Sequence, residues 1–386
     1  MEKLYQDAVV LLRKVSTGAG FTATPAALDN YYRVWTRDAT VCGIACAVLN
    51  NEHLLETFKR SLHTIWQHQH ITGCLPSNVT VQTSEAGYGG STGRADNTSW
   101  GIIGACLYTS VTGDNHFLRG LETRIEKAFG VLDAWEYNGR NLLYVPQSGD
   151  WADEYVHHGY VLFDQLLRYW ALMLAAKMLN NETYAKKAAQ VKQVIEYNFF
   201  YREDDGHWYS AQLKRMKTTA PKEYWWLGFN PAQLYPQFDL QANMLALVLK
   251  LGTNEQQQRL TGWLQQFVQA NNHMLPSFYP AIGYNDHLMA ELENNYAYRF
   301  RNKPHEFHNG GLWPVWNGWM CAAVAPYDAA LHATLMQRME KEIDGTFNEC
   351  LHGETALPCG VEECAWSAAG YIIAKNAPLF NKLTVL

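Results

Sequence analysis

The most apolar helical run of the sequence is Val161-Leu162-Phe163-Asp164-Gln165-Leu166-Leu167-Arg168-Tyr169-Trp170-Ala171-Leu172-Met173-Leu174, and directly before it stands Gly149-Asp150-Trp151-Ala152-Asp153-Glu154-Tyr155. A helix that is apolar on every side must be buried inside a protein. Acidic side chains are favoured at the start of a helix, because free backbone N–H groups and the helix dipole attract negative charge there. The clustered acids are therefore either an ordinary helix cap or catalytic carboxylates, and the rest of the chain decides between the two.

Helical periodicity recurs along the whole chain and predicts twelve helices. They are expected to begin near Glu2, Asp38, Asn51, Asn97, Asn115, Glu154, Glu182, Gln237, Asn254, Gly310, Asp328 and Val361. Only residues 141–145 and 207–213 favour short strands. The chain is therefore predicted to be mostly α-helical.

The twelve predicted helices alternate in character. Those that begin near 38, 97, 154, 237, 310 and 361 are rich in small and apolar residues on every side, whereas the intervening ones carry a charged face. A helix that is apolar all round lies inside, and an amphipathic helix covers it from outside. The sequence therefore predicts an all-α fold, an (α/α)6 barrel with six inner and six outer helices, in a single domain that spans residues 1–386.

The predicted loops are unequal in length. Long aromatic segments lead into buried helices at residues 71–96, 201–236 and 273–309, and short ones lead out of them at 50–51, 112–114 and 251–254. Long irregular loops inside a compact domain are usually functional. All the long loops would emerge at one end of the barrel, so we expect the active site at that end.

Composition excludes several classes of protein. A formal net charge of −6 gives no electrostatic reason to expect nucleic acid or an anionic membrane as a partner. The N-terminus lacks the profile of a signal peptide, and no apolar run approaches the roughly 20 residues that span a bilayer. We expect a soluble cytoplasmic protein that is free to form a homo-oligomer. Its eight cysteines form no C-x-x-C pair and are interpreted as mostly buried thiols in a reducing compartment.

The aromatic content points to the ligand. The chain has 14 Trp and 22 Tyr, and many of these rings lie in the predicted loops. A ring with an apolar face and a polar tip suits a flat amphiphilic ligand, of which a sugar is the commonest. A small carbohydrate is therefore the expected substrate.

Two acids far apart in sequence suit glycosidic bond hydrolysis. That reaction needs a protonated carboxylic acid on the leaving oxygen and a second carboxylate on the far side of the sugar. Asp153 and Glu349 introduce the third and the sixth predicted buried helices, on opposite walls of one barrel. Arg37, Asp38, Arg94 and Asp96 precede other buried helices and are short-reach polar groups that would hold sugar hydroxyls.

Several of these motifs resemble known families. Trp35-Thr36-Arg37-Asp38, Gly93-Arg94-Ala95-Asp96 and Asp150-Trp151-Ala152-Asp153-Glu154 resemble the substrate-binding and general-acid motifs of glucoamylase-type glycosidases. The chain is more similar to the alkaline/neutral invertase family. Phe278-Tyr279-Pro280-Ala281-Ile282 followed by His308-Asn309-Gly310-Gly311-Leu312-Trp313-Pro314 resembles its Y-P-A-I and H-N-G-G-S-W-P signature, and residues 348–371 resemble its C-terminal motif.

The resemblance implies an inverting mechanism with Asp153 as general acid and Glu349 as general base. It also implies that Arg37, Asp38, Asp96 and His308 line the subsite of the cleaved sugar. No metal and no organic cofactor are expected. The full set of predicted substrate-binding residues is Tyr32, Trp35, Arg37, Asp38, Arg94, Asp96, Asp150, Trp151, His308, Asn309 and Trp313.

The sequence also departs from the invertase pattern. In that family two arginines follow the acid, whereas here Glu154 and Tyr155 follow, and Cys350 replaces the first tyrosine after the base. These departures concern the leaving-group subsite. The expected substrate is therefore a small α-glucoside or a sucrose-like disaccharide.

Rivals exist for both catalytic acids. Asp150 competes with Asp153, which is favoured because burial just inside a helix start would raise its carboxyl pKa. Glu354, Glu362 and Glu363 compete with Glu349, but the first is expected to face solvent and the other two to cap the last helix.

Two other functional classes stay open. The first is a sugar-binding protein without hydrolytic activity on the same barrel. The second is a sugar isomerase or epimerase that uses His157, His158 and His308 as bases. The run of His63, His68 and His70 is interpreted as surface or core histidines rather than a metal site.

Overall fold

The computed structural model describes residues 2–27, 30–203 and 206–385. In chain order its helices are α1 (Glu2–Lys14), α2 (Thr36–Leu49), α3 (Glu52–Gln67), α4 (Asp96–Thr112), α5 (Asn115–Ala134), α6 (Leu162–Met178), α7 (Glu182–Asn198), α8 (Ala211–Met216), α9 (Leu240–Val248), α10 (Asn254–Ala270), α11 (Met289–Glu293), α12 (Pro314–Val324), α13 (Ala329–Glu342), α14 (Ala365–Lys375) and α15 (Ala377–Thr384). No helix among the described residues is both long and apolar enough to span a lipid bilayer.

Six of the helices form a closed inner ring. Helices α2, α4, α6, α9, α12 and α14 each pack against the next, and α14 packs back against α2. Helices α1, α3, α5, α7, α10 and α13 form the outer layer, and α15 packs across α2, α12 and α14. The predicted (α/α)6 barrel is therefore confirmed, and α15 is an additional helix that the sequence pattern did not separate from α14.

The inner ring of helices is held together by large aromatic side chains and by close backbone contact. Trp100 of α4, Trp170 of α6 and Trp319 of α12 are fully buried and meet edge to face, with centroids 6.0 to 6.3 Å apart. Burying a tryptophan contributes at most roughly 4 to 6 kcal/mol. Helices α12 and α14 touch at Gly318, where a Cβ atom would lie 2.0 Å from the carbonyl oxygen of Gly370. Only glycine permits this approach.

Short strands join the loops at the entrance to the inner helices. They are β1 (Arg33–Trp35), β2 (Asn78–Thr80), β3 (Ala86–Gly87), β4 (Tyr160–Val161), β5 (Trp226–Phe229), β6 (Leu234–Asp239), β7 (Phe278–Tyr279), β8 (Cys350–Leu351) and β9 (Pro358–Cys359). They form three antiparallel sheets in the orders β1-β2-β3, β4-β5-β6-β7 and β8-β9. Because β1, β4 and β6 continue directly into α2, α6 and α9, the sheets fix the starts of inner helices relative to one another.

Some predicted boundaries and strands are wrong. The third inner helix begins at Leu162 rather than near Glu154, and the sixth begins at Ala365 rather than near Val361. Described residues 141–145 contribute only an isolated bridge between Val145 and Gly159. Residues 207–213 do not form the predicted strand, and the last three of them begin helix α8. The Ser210 side chain accepts a hydrogen bond from the Leu213 N–H and caps that helix.

Candidate active site

The charged side chains at the entrance to the barrel begin with a salt bridge between two inner helices. Arg37, at the start of α2, donates from Nη1 to Oδ2 of Asp96, the first residue of α4, over 2.8 Å. Asp96 is fully buried and Arg37 nearly so. Burial raises the pKa of Asp96, and the charge of Arg37 opposes that rise. The pair therefore fixes Arg37 at the mouth of the barrel, which is the end at which the inner helices α2, α4 and α6 begin.

Asp153 lies in the turns that precede α6, and its side chain is 45% exposed. Its Oδ2 accepts a hydrogen bond from Nη2 of Arg94 over 2.7 Å, and its Oδ1 lies 3.7 Å from Nε2 of His308. Burial opposes ionisation of Asp153, but the interactions with His308 and Arg94 outweigh it and lower the carboxyl pKa below its ordinary value. The expectation that burial at a helix start would raise this pKa is therefore wrong.

Arg94 is held by backbone carbonyl groups. Its Nη1 donates to the carbonyl oxygens of Gly89, Gly93 and Ser148, the last over 2.6 Å. The guanidinium therefore joins the loop before α4 to the loop that carries Asp153. This geometry makes Arg94 a residue that orients Asp153 as well as a cation of the site.

Asp150, the rival for the acid, is only 1% exposed. Its Oδ2 lies 2.5 Å from Nε2 of His157, and its Oδ1 accepts a hydrogen bond from the Ala152 N–H over 2.9 Å. Burial opposes ionisation, but His157 lowers the pKa of Asp150, and Asp150 in turn raises the pKa of His157. Both oxygens of Asp150 have protein partners. Its contact with substrate stays a prediction.

Glu349, directly before β8, is the buried carboxylate of the opposite wall, with 9% exposure. The Tyr31 hydroxyl lies 3.2 and 3.0 Å from its two carboxyl oxygens, and the Val361 N–H lies 3.4 Å from Oε2. Burial raises the pKa of Glu349 to about 7, although both hydrogen bonds act to lower it. Glu349 is thus balanced between its two charge states near neutral pH.

The rival glutamates lie elsewhere. Glu354 is exposed, with Oε1 3.3 Å from Nε2 of His305. Glu363 pairs with Lys14 over 2.7 Å, and Glu362 is exposed. Among these four glutamates only Glu349 is buried at the mouth.

Gly360 is packed directly against the carboxyl group of Glu349. It has a φ of +74°, and a Cβ atom at this position would lie 2.3 Å from Glu349 Oε2. Any other residue would therefore strain the backbone and displace the glutamate. The turn after β9 thus shapes the space that Glu349 occupies.

Asp38 and Arg37 couple the two walls electrostatically. After burial and its hydrogen bonds, the charge of Asp38 is the next influence on the pKa of Glu349, which it raises. The charge of Arg37 helps to lower the pKa of Asp153. Burial raises the pKa of Asp38 itself to about 6, against the effect of Arg37. Asp153 and Glu349 are therefore linked electrostatically through the adjacent charges of Arg37 and Asp38.

Stacked aromatic rings support the mouth from below. His308 stacks on Trp313 with 5.2 Å between centroids and 9° between planes, and Trp151 meets His308 edge-on at 4.7 Å. The guanidinium of Arg37 lies 5.5 Å from the centroid of the Trp366 ring. Trp151 and Trp313 are each only 3% exposed. The two rings pack against His308, and their contact with substrate stays a prediction.

Comparison with known proteins relates the C-terminal part of the chain to one family. A family model described as alkaline and neutral invertase matches residues 221–379, which include Glu349 and the motifs at 278–282 and 308–314. The chain is a glycoside hydrolase whose C-terminal part resembles the alkaline and neutral invertases. None of the curated proteins matches the sequence of this hydrolase closely enough to count as a relative.

Solved structures resemble the fold of the hydrolase over nearly its whole length. A GH63 mannosylglycerate hydrolase from Thermus thermophilus, in complex with glucose, has a TM-score of 0.70 at 13% identity, with 96% of this chain and 99% of that chain covered. A bacterial glucoamylase complexed with acarbose has a TM-score of 0.63 at 15% identity, with 99% and 56% covered. At these identities the similarity establishes the fold, which agrees with the closed inner ring.

Asn309 and Trp35 of the hydrolase are held by hydrogen bonds to loop backbone groups. Asn309 is fully buried, accepts a hydrogen bond from the Ile282 N–H over 2.7 Å and donates to the Ile282 and Asn302 carbonyl oxygens. Its contact with substrate stays a prediction. Trp35 donates from its indole nitrogen to the Asn30 carbonyl oxygen over 3.0 Å. Tyr32 lies half-buried just before β1 and stays a candidate.

The sequence interpretation missed Tyr31 and Arg301. Tyr31 stands next to Tyr32 in the cluster before the first inner helix, so its position was a usable signal. Arg301 has its Nε 3.8 Å from Oε2 of Glu154, and its charge helps to lower the pKa of Glu349. No local pattern marks Arg301, since its importance arises from contacts with two distant segments.

Glu154 and Tyr155, which replace the two arginines of the invertase motif, hold a loop in place. Glu154 Oε1 accepts a hydrogen bond from the Ala297 N–H over 3.1 Å, and its carbonyl oxygen accepts one from Asn302 over 2.8 Å. The fully buried ring of Tyr155 stacks on Phe278 with 4.5 Å between centroids. The departure from the invertase motif therefore anchors the loop that carries Arg301.

The described residues contain no group of three metal-ligating side chains in a suitable arrangement. His63 contacts the ring of Phe117, whereas Nδ1 of His68 bonds to the Thr64 carbonyl oxygen. His70 bonds instead to the Thr72 hydroxyl. These histidines therefore have separate partners.

Proposed function

We propose that this glycoside hydrolase cleaves a small α-glucoside or sucrose-like disaccharide with inversion at the anomeric carbon. Asp153 acts as the general acid and Glu349 as the general base. The observation that carries this proposal is the pair of carboxyl groups at one barrel mouth, one half exposed beside Arg94 and His308 and one buried with a pKa of about 7. An inverting enzyme needs two carboxyl groups with different proton occupancy on the two faces of the sugar.

Glu349 suits the role of general base. Its pKa of about 7 makes it a much stronger base than an ordinary carboxylate, yet it is ionised in part of the molecules at neutral pH. The Tyr31 hydroxyl and the Val361 N–H fix the orientation of its carboxyl group. Glu349 would remove a proton from the water that attacks the anomeric carbon.

Asp153 suits the role of general acid because its carboxyl group is accessible at the mouth. Arg94 and His308 keep it ionised in the free protein. A substrate whose glycosidic oxygen replaces one of these partners, and which excludes water from the mouth, raises the carboxyl pKa. Asp153 then takes up the proton that it passes to the leaving oxygen.

Asp38 and Arg37 suit the subsite of the cleaved sugar. The Asp38 side chain has no hydrogen-bond partner in the described part of the chain other than its own backbone, and Arg37 is fixed beside it by Asp96. A carboxylate next to a guanidinium can hold neighbouring sugar hydroxyl groups with two hydrogen bonds each. The two solved neighbours in complex with glucose and with acarbose support glucosides as the first substrates to test.

The test is release of reducing sugar from sucrose, maltose, isomaltose and trehalose, with the anomer of the first product recorded by NMR. We expect one of these substrates to yield the β-anomer, and Asp153→Asn and Glu349→Gln each to lower turnover by a factor of about 100 to 10,000 while the protein remains folded. Retained turnover in either variant contradicts its assignment. Release of the α-anomer contradicts inversion.

The two alternative classes have less support. An isomerase would need an accessible histidine base, but His157 is 2% exposed and bound to Asp150. His158 lies 3.2 Å from the Asn230 amide and 3.1 Å from the Tyr235 hydroxyl. Binding of an oligosaccharide without any turnover would instead identify a sugar-binding protein.

A further inference from the structure

The β8–β9 hairpin places two cysteines beside the proposed base. Cys350 follows Glu349, and Cys359 precedes Gly360, whose missing side chain leaves room for the Glu349 carboxyl group. Cys350 and Cys359 are direct partners in the register of the antiparallel hairpin. All eight cysteines, each of which is described, are free thiols. The two thiols therefore lie in one short hairpin, each directly next to Glu349 or Gly360.

The spacing of the hairpin suits a disulfide. Opposite residues of an antiparallel pair have Cα atoms about 4.5 to 5.5 Å apart, and disulfides span Cα distances of about 4.4 to 6.8 Å. Their Cβ atoms, however, lie about 4.5 to 5.5 Å apart and must close to roughly 3.8 Å. Forming the bond therefore draws the strands together by about 1 Å. The residues next to the bond, Glu349 and Gly360, move with them.

The two thiols differ in a way that suits stepwise exchange. Cys359 is half-buried, and its interaction with Cys350 lowers its pKa below the ordinary value for a thiol. Cys350 is buried, and burial raises its pKa. An accessible thiol with a lowered pKa attacks first, and a buried neighbour resolves the intermediate.

We propose that Cys350 and Cys359 form an oxidative modification site that inactivates the enzyme by displacing Glu349. A small disulfide such as oxidised glutathione is the oxidant. The Cys359 thiolate attacks one sulfur of the oxidant and releases one small thiolate. Cys350 then loses its proton to solvent and attacks the mixed disulfide, which releases the second small thiolate. The protein loses two electrons and two protons, and the oxidant is reduced to two thiols.

The size of the effect follows from the geometry of the base. Gly360 packs so closely against the Glu349 carboxyl group that a Cβ atom would not fit between them. The carboxyl group therefore has little room to adjust. A misplacement of about 1 Å in a catalytic site can lower the rate by a factor of about 100. Oxidised protein should therefore lose most of its activity and regain it when the disulfide is reduced.

The experiment treats the full-length protein with oxidised glutathione and maps its disulfides by peptide mass spectrometry. In parallel it measures turnover of the substrate found in the hydrolysis assay, with each variant compared to its own untreated rate. We expect a Cys350–Cys359 link, a rate lowered by a factor of about 10 to 100, and recovery with dithiothreitol. The Cys359→Ser variant should keep its rate, and Cys350→Ser should stop at the glutathione adduct.

Cys74, the other half-buried cysteine, supplies the matched control. Cys74→Ser should lose activity on oxidation as the unmodified protein does. A map without the Cys350–Cys359 link, or a complete link with an unchanged rate, overturns the proposal. The peptide map is informative even if no substrate is found, so a failure of the hydrolase proposal is distinguishable from a failure of this one.

Discussion

The two walls of the barrel mouth hold the same chemical group in opposite environments. Asp153 is half exposed, and its partners Arg94 and His308 lower its pKa. Glu349 is buried, its closest partners are the uncharged Tyr31 hydroxyl and Val361 N–H, and burial raises its pKa to about 7. Hydrogen bonds from neutral groups do not offset desolvation here, whereas nearby cations do. The difference between the walls thus comes from the charge of the partners.

The same comparison explains why Asp150 and Asp153 behave differently although they are three positions apart. Asp150 is enclosed with His157, while Asp153 pairs with Arg94 and is half exposed. The pair of Asp150 and His157 therefore stabilises the turns before α6, whereas Asp153 is accessible at the mouth.

The largest effect on the rate should distinguish the general acid from the general base, because only the acid protonates the leaving group. α-Glucosyl fluoride needs no protonation to depart, so Asp153→Asn should cleave it at close to the unmodified rate while losing a factor of about 100 to 10,000 on a disaccharide. Glu349→Gln should lose activity on both the fluoride and the disaccharide. Glu354→Gln, which alters an exposed carboxyl group, is the control and should keep its activity on both. The reverse pattern for the first two variants would show that Asp153 is the base and Glu349 the acid.

The next effect concerns stability rather than rate. Asp150→Asn leaves the buried His157 without its acidic partner, and we expect a loss of about 3 to 5 kcal/mol in the free energy of unfolding at neutral pH. Asp153→Asn removes a half-exposed pair and should cost less than about 1 kcal/mol. Urea unfolding of both variants measures the difference. Equal midpoints would show that the Asp150 pair is not structural.

Gly360 should control the rate through the position of the base. Gly360→Ala introduces a Cβ atom where the structure places Glu349 Oε2, so kcat should fall by a factor of about 10 to 100 with little change in KM. Gly283→Ala is the control, because a Cβ atom there meets nothing within 4 Å. A rise in KM without a fall in kcat would assign Gly360 to substrate binding instead.

Glu349 should lower the stability of the fold above neutral pH. Its folded pKa of about 7 exceeds the unfolded value of roughly 4.3, so the native state binds the extra proton and stability falls as pH rises between the two. Glu349→Gln should therefore raise the free energy of unfolding by about 1 to 3 kcal/mol at about pH 8 and by much less at about pH 5. Thermal unfolding at both pH values measures this change in stability. A Glu349→Gln variant that is less stable at about pH 8 would show that the Glu349 charge stabilises the fold instead.

The smallest effect should be a shift of the pH profile. A base with a pKa of about 7 requires the rate to rise with pH through that region. The Tyr31 hydrogen bond lowers the pKa of Glu349, so Tyr31→Phe should move the rising limb to higher pH by less than about one unit. The exposed Tyr298→Phe is the control. An unmoved limb in Tyr31→Phe would mean that Glu349 is not the titrating base.

Much of the fold was predictable from the sequence alone. Helices such as α4 are apolar on every side, while neighbours such as α5 carry a polar face, and this alternation has only one compact arrangement. The start of α6 was misplaced because residues 150–157 form turns before the helix begins. The Asp150 side chain binds the Ala152 N–H and His157 within those turns. Such local side-chain bonds compete with a helix and leave no periodic signal.

The sequence by itself determined that Asp153 and Glu349 introduce different inner helices, and the closed ring brings those starts to one end. It could not determine their charge states. The pKa of Asp153 depends on Arg94 and His308, and that of Glu349 on burial and Tyr31, all from other segments of the chain. Sequence order sets which groups enter the site, but a proton responds to charge and solvent within a few ångströms, and only the tertiary structure decides those distances.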